Sequence, residues 1–408
     1  MIIIPSALTF SLPFLFVENL AWLIFFFPVS LFLIFQKNLT KPLACGFLWG
    51  LIAYGLHFIW LLDLLIKKSN ATVLFSIFLY FVVVAYTAST SAIWFWVTSL
   101  VAKRTSPLAF LLTTPIYFFL LDRYMFWFFQ SGYPFLNPLI PLMRYKSVAC
   151  FLSFFLAGFG WKGGEINFMP QQKQIALQTE KGVGCLFIYL YPSQNKNMHE
   201  AATEIKRQIK SLNLKKQAKS YDCICVVGPE STFPFYLNQH KEYVSWWMSG
   251  LPENVSLTLG AYSQEKQKNY QSVYNLKAGL IKIRYDKSHR IVFAEKFPRW
   301  LKKNKWAGGL FLKNKQSIKK GKNISEEQLF QLAPNLSLTT LICSELFFIS
   351  TGELLKRAKD RDFCVAFVND SWFVPYFRKI MMLSARLKTL FLGKRILYVG
   401  HFSLDSSC

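Results

Sequence analysis

The first 161 residues cannot be folded as the core of an ordinary soluble domain. Residues 44–66 and 73–101 are apolar almost throughout, and each exceeds the roughly 20 residues that cross a bilayer core of about 30 Å. Similar runs occupy 3–17, 20–36 and 107–129. Several in succession predict a polytopic membrane domain and not a cleaved signal peptide. The stretch 134–160 is interrupted by Pro134, Pro138 and Pro141 and followed through Arg144 and Lys146; it reads as a re-entrant piece plus a helix, or as two short crossings. With a cytoplasmic amino terminus, Lys37, Lys41, Lys103, Arg104, Arg144 and Lys146 fall inside, against Lys67 and Lys68 outside. That is the positive-inside arrangement, and it puts the rest of the chain outside if 134–142 reaches across, or in the cytoplasm if it does not. Gly46 and Gly50 form a small-xxx-small pair suited to close helix approach. Asp122 and Arg123 stand inside an apolar run, where ionisable groups need partners or a cavity.

Composition changes near residue 161. Before it lie 9 Lys or Arg and 3 Asp or Glu; after it lie 38 and 19, a net charge of +19. We expect a transmembrane helical domain over 1–161, a linker over 162–171 and a catalytic domain over 172–408. Strand-like runs at 173–178, 222–228, 255–262, 273–284, 337–342 and 363–368 mix with helical patterns at 199–212, 240–249, 351–359 and 378–392, which suits layered α/β packing. The eight cysteines and five histidines show neither a disulfide framework nor metal-ligand spacing, and no Gly-rich phosphate loop is present. No metal and no cofactor are expected.

Three distant segments end apolar, β-branched runs on reactive side chains: Gly228-Pro229-Glu230-Ser231, Tyr285-Asp286-Lys287 and Ile342-Cys343-Ser344-Glu345. Singly, each has a plain alternative: a turn glutamate, a surface lysine, a packing cysteine. Together, a carboxylate, an amine and a thiol can perform acyl transfer, the carboxylate taking the thiol proton and the ammonium stabilising the oxyanion. If the strand continues beyond Cys343, Glu345 shares its face.

The order Glu, Lys, Cys resembles the nitrilase, or carbon–nitrogen hydrolase, superfamily. With the apolar first half, the whole chain resembles the apolipoprotein N-acyltransferases, whose multi-helix membrane domain precedes a nitrilase-like αββα domain. The resemblance rests on Gly228 to Ser231, Tyr285 to Glu295, Ile342 to Glu345, Asn369 to Phe373 with Ala385-Arg386 and Gly393-Lys394, Gly132 to Phe135, and Gly46 to Trp60. It implies Glu230 as general base, Lys287 as oxyanion stabiliser and Cys343 as nucleophile, with Glu295, Glu345 and Ser344 supporting. It departs from the family pattern at Gly228, Ser344, Val292 and Ala294, and measured against it the chain is expected to be shortened at its carboxyl end.

What the resemblance implies is transfer of an acyl chain from a phospholipid to the amino-terminal amine of a diacylglyceryl-cysteine lipoprotein, through a Cys thioester. The place would be the bacterial inner membrane, with the catalytic domain on the periplasmic face. The partners expected are a phospholipid donor, a diacylated apolipoprotein acceptor and membrane lipid. Residues 296–322, with ten Lys or Arg among Trp300, Trp306, Phe311 and Leu312, suit an anionic lipid surface better than nucleic acid. A membrane-anchored amidase using water as acceptor, and a non-catalytic relative, are the alternatives.

Overall fold

The computed structural model describes residues 2–36, 39–67, 72–124, 134–145, 147–152, 164–169, 173–178, 182–193, 197–290, 318–321, 329–333, 336–349, 351–358 and 361–401. Two compact units emerge: Met1–Phe155, Val292–Lys315 and Trp372–Leu387 form one, and Leu156–Ile291, Gln316–Ser371 and Lys388–Cys408 the other.

The first unit is helical. The apolar runs become α1 (Ile3–Leu15), α2 (Phe26–Gln36), α3 (Pro42–His57), α4 (Ile59–Lys67), α5 (Val73–Arg104) and α6 (Phe110–Tyr124). Only α5, at 32 residues, is long and apolar enough among the described residues to cross a bilayer alone. Helices α3 and α4 reach that length together, across a 48° bend. Helices α1 and α2 are shorter than the runs that predicted them. Helix α3 meets α5 backbone to backbone: a Cβ on Gly46 would lie 2.6 Å from Ser91 O, and one on Gly50 2.6 Å from Ala88 Cα. That is the close approach expected of small-xxx-small spacing.

This unit is apolar on its exterior and buries several hydroxyls within a mainly apolar, aromatic interior. Ser6, Ser11, Ser30, Thr87, Ser91 and Thr98 are buried, whereas Leu74 is 78% and Leu112 72% exposed, and Phe78, Phe81 and Phe119 are exposed as well. The interior hydroxyls pair with one another or with backbone: Tyr54 with Tyr117 at 2.7 Å, Thr98 with Thr113 at 2.7 Å, and Ser11 with Ala53 O at 2.9 Å. The side chains of Asp122 and Arg123, and residues 125–133, lie outside the described residues.

The second unit is a mixed α/β fold with two sheets. Its strands are β1 (Ile166–Phe168), β2 (Gln174–Gln178), β3 (Gly184–Tyr189), β4 (Cys223–Tyr236), β5 (Val255–Glu265), β6 (Lys268–Lys277), β7 (Leu280–Asp286), β8 (Leu329–Ala333), β9 (Leu336–Ile342), β10 (Phe363–Phe367) and β11 (Ile396–Val399). One sheet runs β2-β3-β4-β5-β6-β7, the other β1-β11-β10-β9-β8.

Strand alternation assigns the layers. From the six-stranded sheet, Leu186, Ile188, Ile224, Val226, Leu257 and Leu259 pack on helices α7 (Met198–Ser211) and α9 (Lys241–Met248), against Ile205, Ile209, Val244 and Trp247; the short helix α8 is Leu214–Gln217. Phe187 points the other way, its ring meeting Phe363 of β10 edge-on at 5.8 Å. In the five-stranded sheet, Leu338 pairs with Phe363, while the next residue, Thr339, donates to Arg357 O. That carbonyl belongs to α11 (Thr351–Ala358), which follows α10 (Ser344–Phe348) and precedes α12 (Pro375–Leu392). The order through this part is helix, sheet, sheet, helix.

Several expectations are corrected. The single strand expected over 273–284 is a hairpin, because Ala278 and Gly279 take φ of 51° and 76°, the paired positive values of a tight two-residue turn. The expected linker 162–171 contains β1, which pairs with β11 from Ile166↔Ile396 to Phe168↔Tyr398. Cys185 and Cys223, cross-strand partners on β3 and β4, form a disulfide with Cα atoms 4.8 Å apart. A pairing between positions 38 residues apart becomes visible only when strand register is known.

Candidate active site

Glu230 stands within β4 and not at its end. The pairing of β4 with β5 runs to Gly228↔Leu259, shifts, and resumes at Phe233↔Ala261. Pro229 cannot donate to a ladder, Ser231 adopts φ of 62°, and Thr232 Oγ1 closes the irregularity on Pro229 O at 2.6 Å. On β5, Gly260 leaves space for it, since a Cβ there would lie 2.6 Å from Glu230 Cα. Such a bulge re-aims a side chain. Here it presents Glu230, 5% exposed, to two donors: Lys287 Nζ reaches Oε1 at 3.2 Å and Asn369 N reaches Oε2 at 3.1 Å.

Lys287 follows β7 directly. Its N–H donates to Gln271 O at 2.8 Å and its carbonyl accepts from Gly321 N at 2.9 Å, so the backbone is fixed on both sides. The residue is 1% exposed. A buried ion pair rarely adds stability beyond what apolar residues of the same volume would give. Stability alone therefore does not account for it.

Cys343 caps β9. Its N–H donates to Phe367 O at 2.8 Å, after which the chain turns with φ of 44° and ψ of −99° into α10. A non-glycine residue held there is strained, and strain of this kind gathers at functional positions. Phe367 binds Cys343 and Asn369 binds Glu230, two residues apart on one continuous segment, a span of about 7 Å. Glu230, Lys287 and Cys343 are thus brought to one region, from strands of both sheets.

The supporting residues differ from expectation. The strand does not continue past Cys343, so Glu345 lies on α10 and faces the lysine-bearing loop. Its Oε1 accepts from Tyr285 Oη (2.5 Å), Ser288 Oγ (2.5 Å), Ser288 N (2.7 Å) and His289 N (3.2 Å), and Oε2 accepts from Ile342 N (2.8 Å). Burial, with Glu345 beside it, pushes the Tyr285 hydroxyl well above the usual phenol range, so it remains a donor. Ser344 Oγ adds a bond to His289 O at 2.6 Å. Both residues tie the cysteine turn to the Lys287 loop. Glu295 lies outside the described residues, as does most of the basic segment. Of that segment, Lys319 N donates to Asn269 O and Gly321 N to Lys287 O.

Sequence reasoning missed a second ring of groups. His401 Nε2 lies 2.7 Å from Glu230 O, and His401 N donates to Asp370 Oδ1 at 2.7 Å. A carbonyl partner requires the proton on Nε2. Tyr189 Oη donates to Gly400 O at 2.7 Å. Tyr189 stands on β3, beside the Glu230 strand, and Asp370 falls in the Asn369 to Phe373 stretch, but His401 lies far along the chain from Glu230 and carries no local motif. Two further thiols are held inert by burial, Cys225 pushed up to about 11 and Cys364 to about 12.

No family model matches the chain, and neither does any curated protein. Among solved structures it is similar to the glutamine-dependent NAD+ synthetase from Acinetobacter baumannii in complex with adenosine diphosphate, at 14% identity and a TM-score of 0.30 over 44% of this chain. It is also similar to the glutamine-dependent NAD(+) synthetase from Cytophaga hutchinsonii, at 10% identity and a TM-score of 0.27 over 48%. The matches span 31% of each of those chains. Likeness at this level carries no argument about activity, which rests on the geometry above.

Proposed function

We propose that this chain is a membrane-bound acyltransferase of nitrilase-like fold that works through a thioester on Cys343. The observation that carries the reading is the buried Glu230–Lys287 pair, at 3.2 Å, assembled with a cysteine in a strained turn. Glu230 takes the thiol proton, and the thiolate attacks an ester carbonyl while the Lys287 ammonium stabilises the oxyanion. The alkoxide leaves with the proton from Glu230. An amine then attacks the thioester, Glu230 accepts its proton, and the thiolate departs.

The donor we assign is a phospholipid and the acceptor the amino terminus of a diacylated apolipoprotein, as the motif resemblance implies. The apolar exterior of the helical unit, with Leu74, Phe78, Phe81, Leu112 and Phe119 exposed, supports a lipid surrounding, since an exposed apolar surface of this kind is favoured by hydrocarbon and not by water. Multiple crossings, with α5 and the α3–α4 pair as the longest, belong to the same proposal. The Cys185–Cys223 disulfide supports a catalytic unit facing an oxidising compartment, in keeping with the periplasmic side of a bacterial inner membrane.

The test is a reconstituted reaction. Purified protein in vesicles, given phospholipid and a synthetic diacylated lipopeptide, should release lysophospholipid and N-acylate the peptide. Hydrolysis of small amides with no lipid turnover would replace this reading with the amidase.

A further inference from the structure

Tyr398 carries a polar group that no described residue satisfies. It is fully buried, and its hydroxyl has no hydrogen-bond partner among the described residues. A buried hydroxyl left unmet is uncommon and calls for an explanation. Its position supplies one. Strands β9, β10 and β11 end level, through Ile342↔Phe367 and Phe367↔Val399, so Tyr398 stands at the sheet end where Cys343 leaves β9. The ring leans forward over Gly400, where a Cβ would lie 2.7 Å from Tyr398 Cε1 and 2.6 Å from Asp370 Oδ2. It is held there against Phe168, with ring centroids 5.3 Å apart. Burial, and after it the nearby Asp370, Cys343 and Glu230, push the hydroxyl's pKa well up and keep it protonated. Asp370 receives His401 N at Oδ1, and Glu230 receives Lys287 and Asn369.

We propose that Tyr398 is a further catalytic residue, whose hydroxyl donates a hydrogen bond to the acyl carbonyl oxygen under attack by Cys343. The inference rests on the thioester reading above. As the sulfur–carbon bond forms, the carbonyl π electrons move onto oxygen, and the Tyr398 O–H and Lys287 ammonium share the charge. Tyr398 keeps its proton throughout. When the oxyanion collapses, the ester carbon–oxygen bond breaks and the leaving alkoxide takes its proton from Glu230. An orphan donor in the resting protein is what such a role requires, because its partner arrives with the substrate.

Acylation and alkylation of Cys343 separate this role from a structural one. p-Nitrophenyl butyrate builds an oxyanion and iodoacetamide does not. The full chain in detergent should give a p-nitrophenolate burst that Cys343→Ala abolishes. Tyr398→Phe should lower the burst rate constant by about a hundredfold, with half-saturating ester unchanged and alkylation within about twofold of wild type. The variant removes only an unpartnered hydroxyl, so it should unfold at or above the wild-type temperature. A burst at the wild-type rate would overturn the role of Tyr398 and leave the thioester reading standing. Acylation and alkylation slowed equally would also overturn it, since the hydroxyl would then act on the thiol. A wild-type chain with no Cys343-dependent burst would overturn both.

Discussion

A carboxylate that accepts from Tyr285, Ser288, His289 and Ile342, as Glu345 does, cannot be exchanged for an amide without cost. Glu345→Gln turns an –NH2 toward backbone N–H groups, at Ile342 or at Ser288 and His289, which can only donate. Urea denaturation should show a loss of about 1–3 kcal/mol, the penalty for buried donors left unmet. Acyl transfer should fall as well, because those bonds position the Lys287 loop. The thiols make a second case. The folded values of about 11 for Cys225 and about 12 for Cys364 lie above that of a free thiol, so both stay protonated until the solution is strongly alkaline. Alkylation at pH 8, read by peptide mass spectrometry, should therefore mark Cys343 well before Cys225 or Cys364. Equal labelling of the three would remove the argument for a distinct environment at Cys343.

Helix α3 offers an internal comparison at the scale of an element. A Cβ on Gly50 would press on the Ala88 backbone at 2.6 Å, whereas one on Gly55 would meet only Tyr80 Oη at 3.9 Å. Gly50→Ala should cost about 1–3 kcal/mol through overpacking, while Gly55→Ala should be neutral or slightly stabilising because alanine favours the helix. Thermal unfolding in detergent checks both. This close packing was legible in the sequence, since Gly46 and Gly50 repeat at helical spacing. So were most strands of the second unit, whose buried apolar runs are strongly patterned. The 278–279 turn was not, because Ala278 lacks the usual Asn or Asp that marks a reversed turn. Strand β1 owes its existence to pairing with β11 at the far end of the chain, which no local pattern records; β8, paired with the strand directly after it, and β3, apolar from Cys185 to Tyr189, were not among the expected strands. At the site, Glu230, Lys287 and Cys343 could be found because each ends or follows an apolar run. Glu345 was found but misplaced, the strained turn at Cys343 having replaced an extended continuation. His401 and Tyr398 carry no local signal and become visible only through the sheet order.

Across the whole molecule, the disulfide and the apolar exterior make separate demands. Linking positions 38 residues apart, the Cys185–Cys223 bridge should contribute about 4 kcal/mol by restricting the unfolded chain. Denaturation with and without reductant measures that contribution, and an intact mass heavier by two hydrogens after reduction confirms the bond. In the proposed membrane setting, removing lipid and detergent should let the exposed Leu and Phe side chains of the helical unit drive association. The central claim, that Cys343 carries the acyl group, is tested most directly by the intact mass of the protein after incubation with a phospholipid of defined chain length and no acceptor. One acyl chain should be added on Cys343, removed by neutral hydroxylamine, absent in Cys343→Ser, and formed about a hundredfold or more slowly in Lys287→Met, which loses the oxyanion partner. A membrane-folded wild-type protein that gains no mass, or gains it equally in Cys343→Ser, would contradict it.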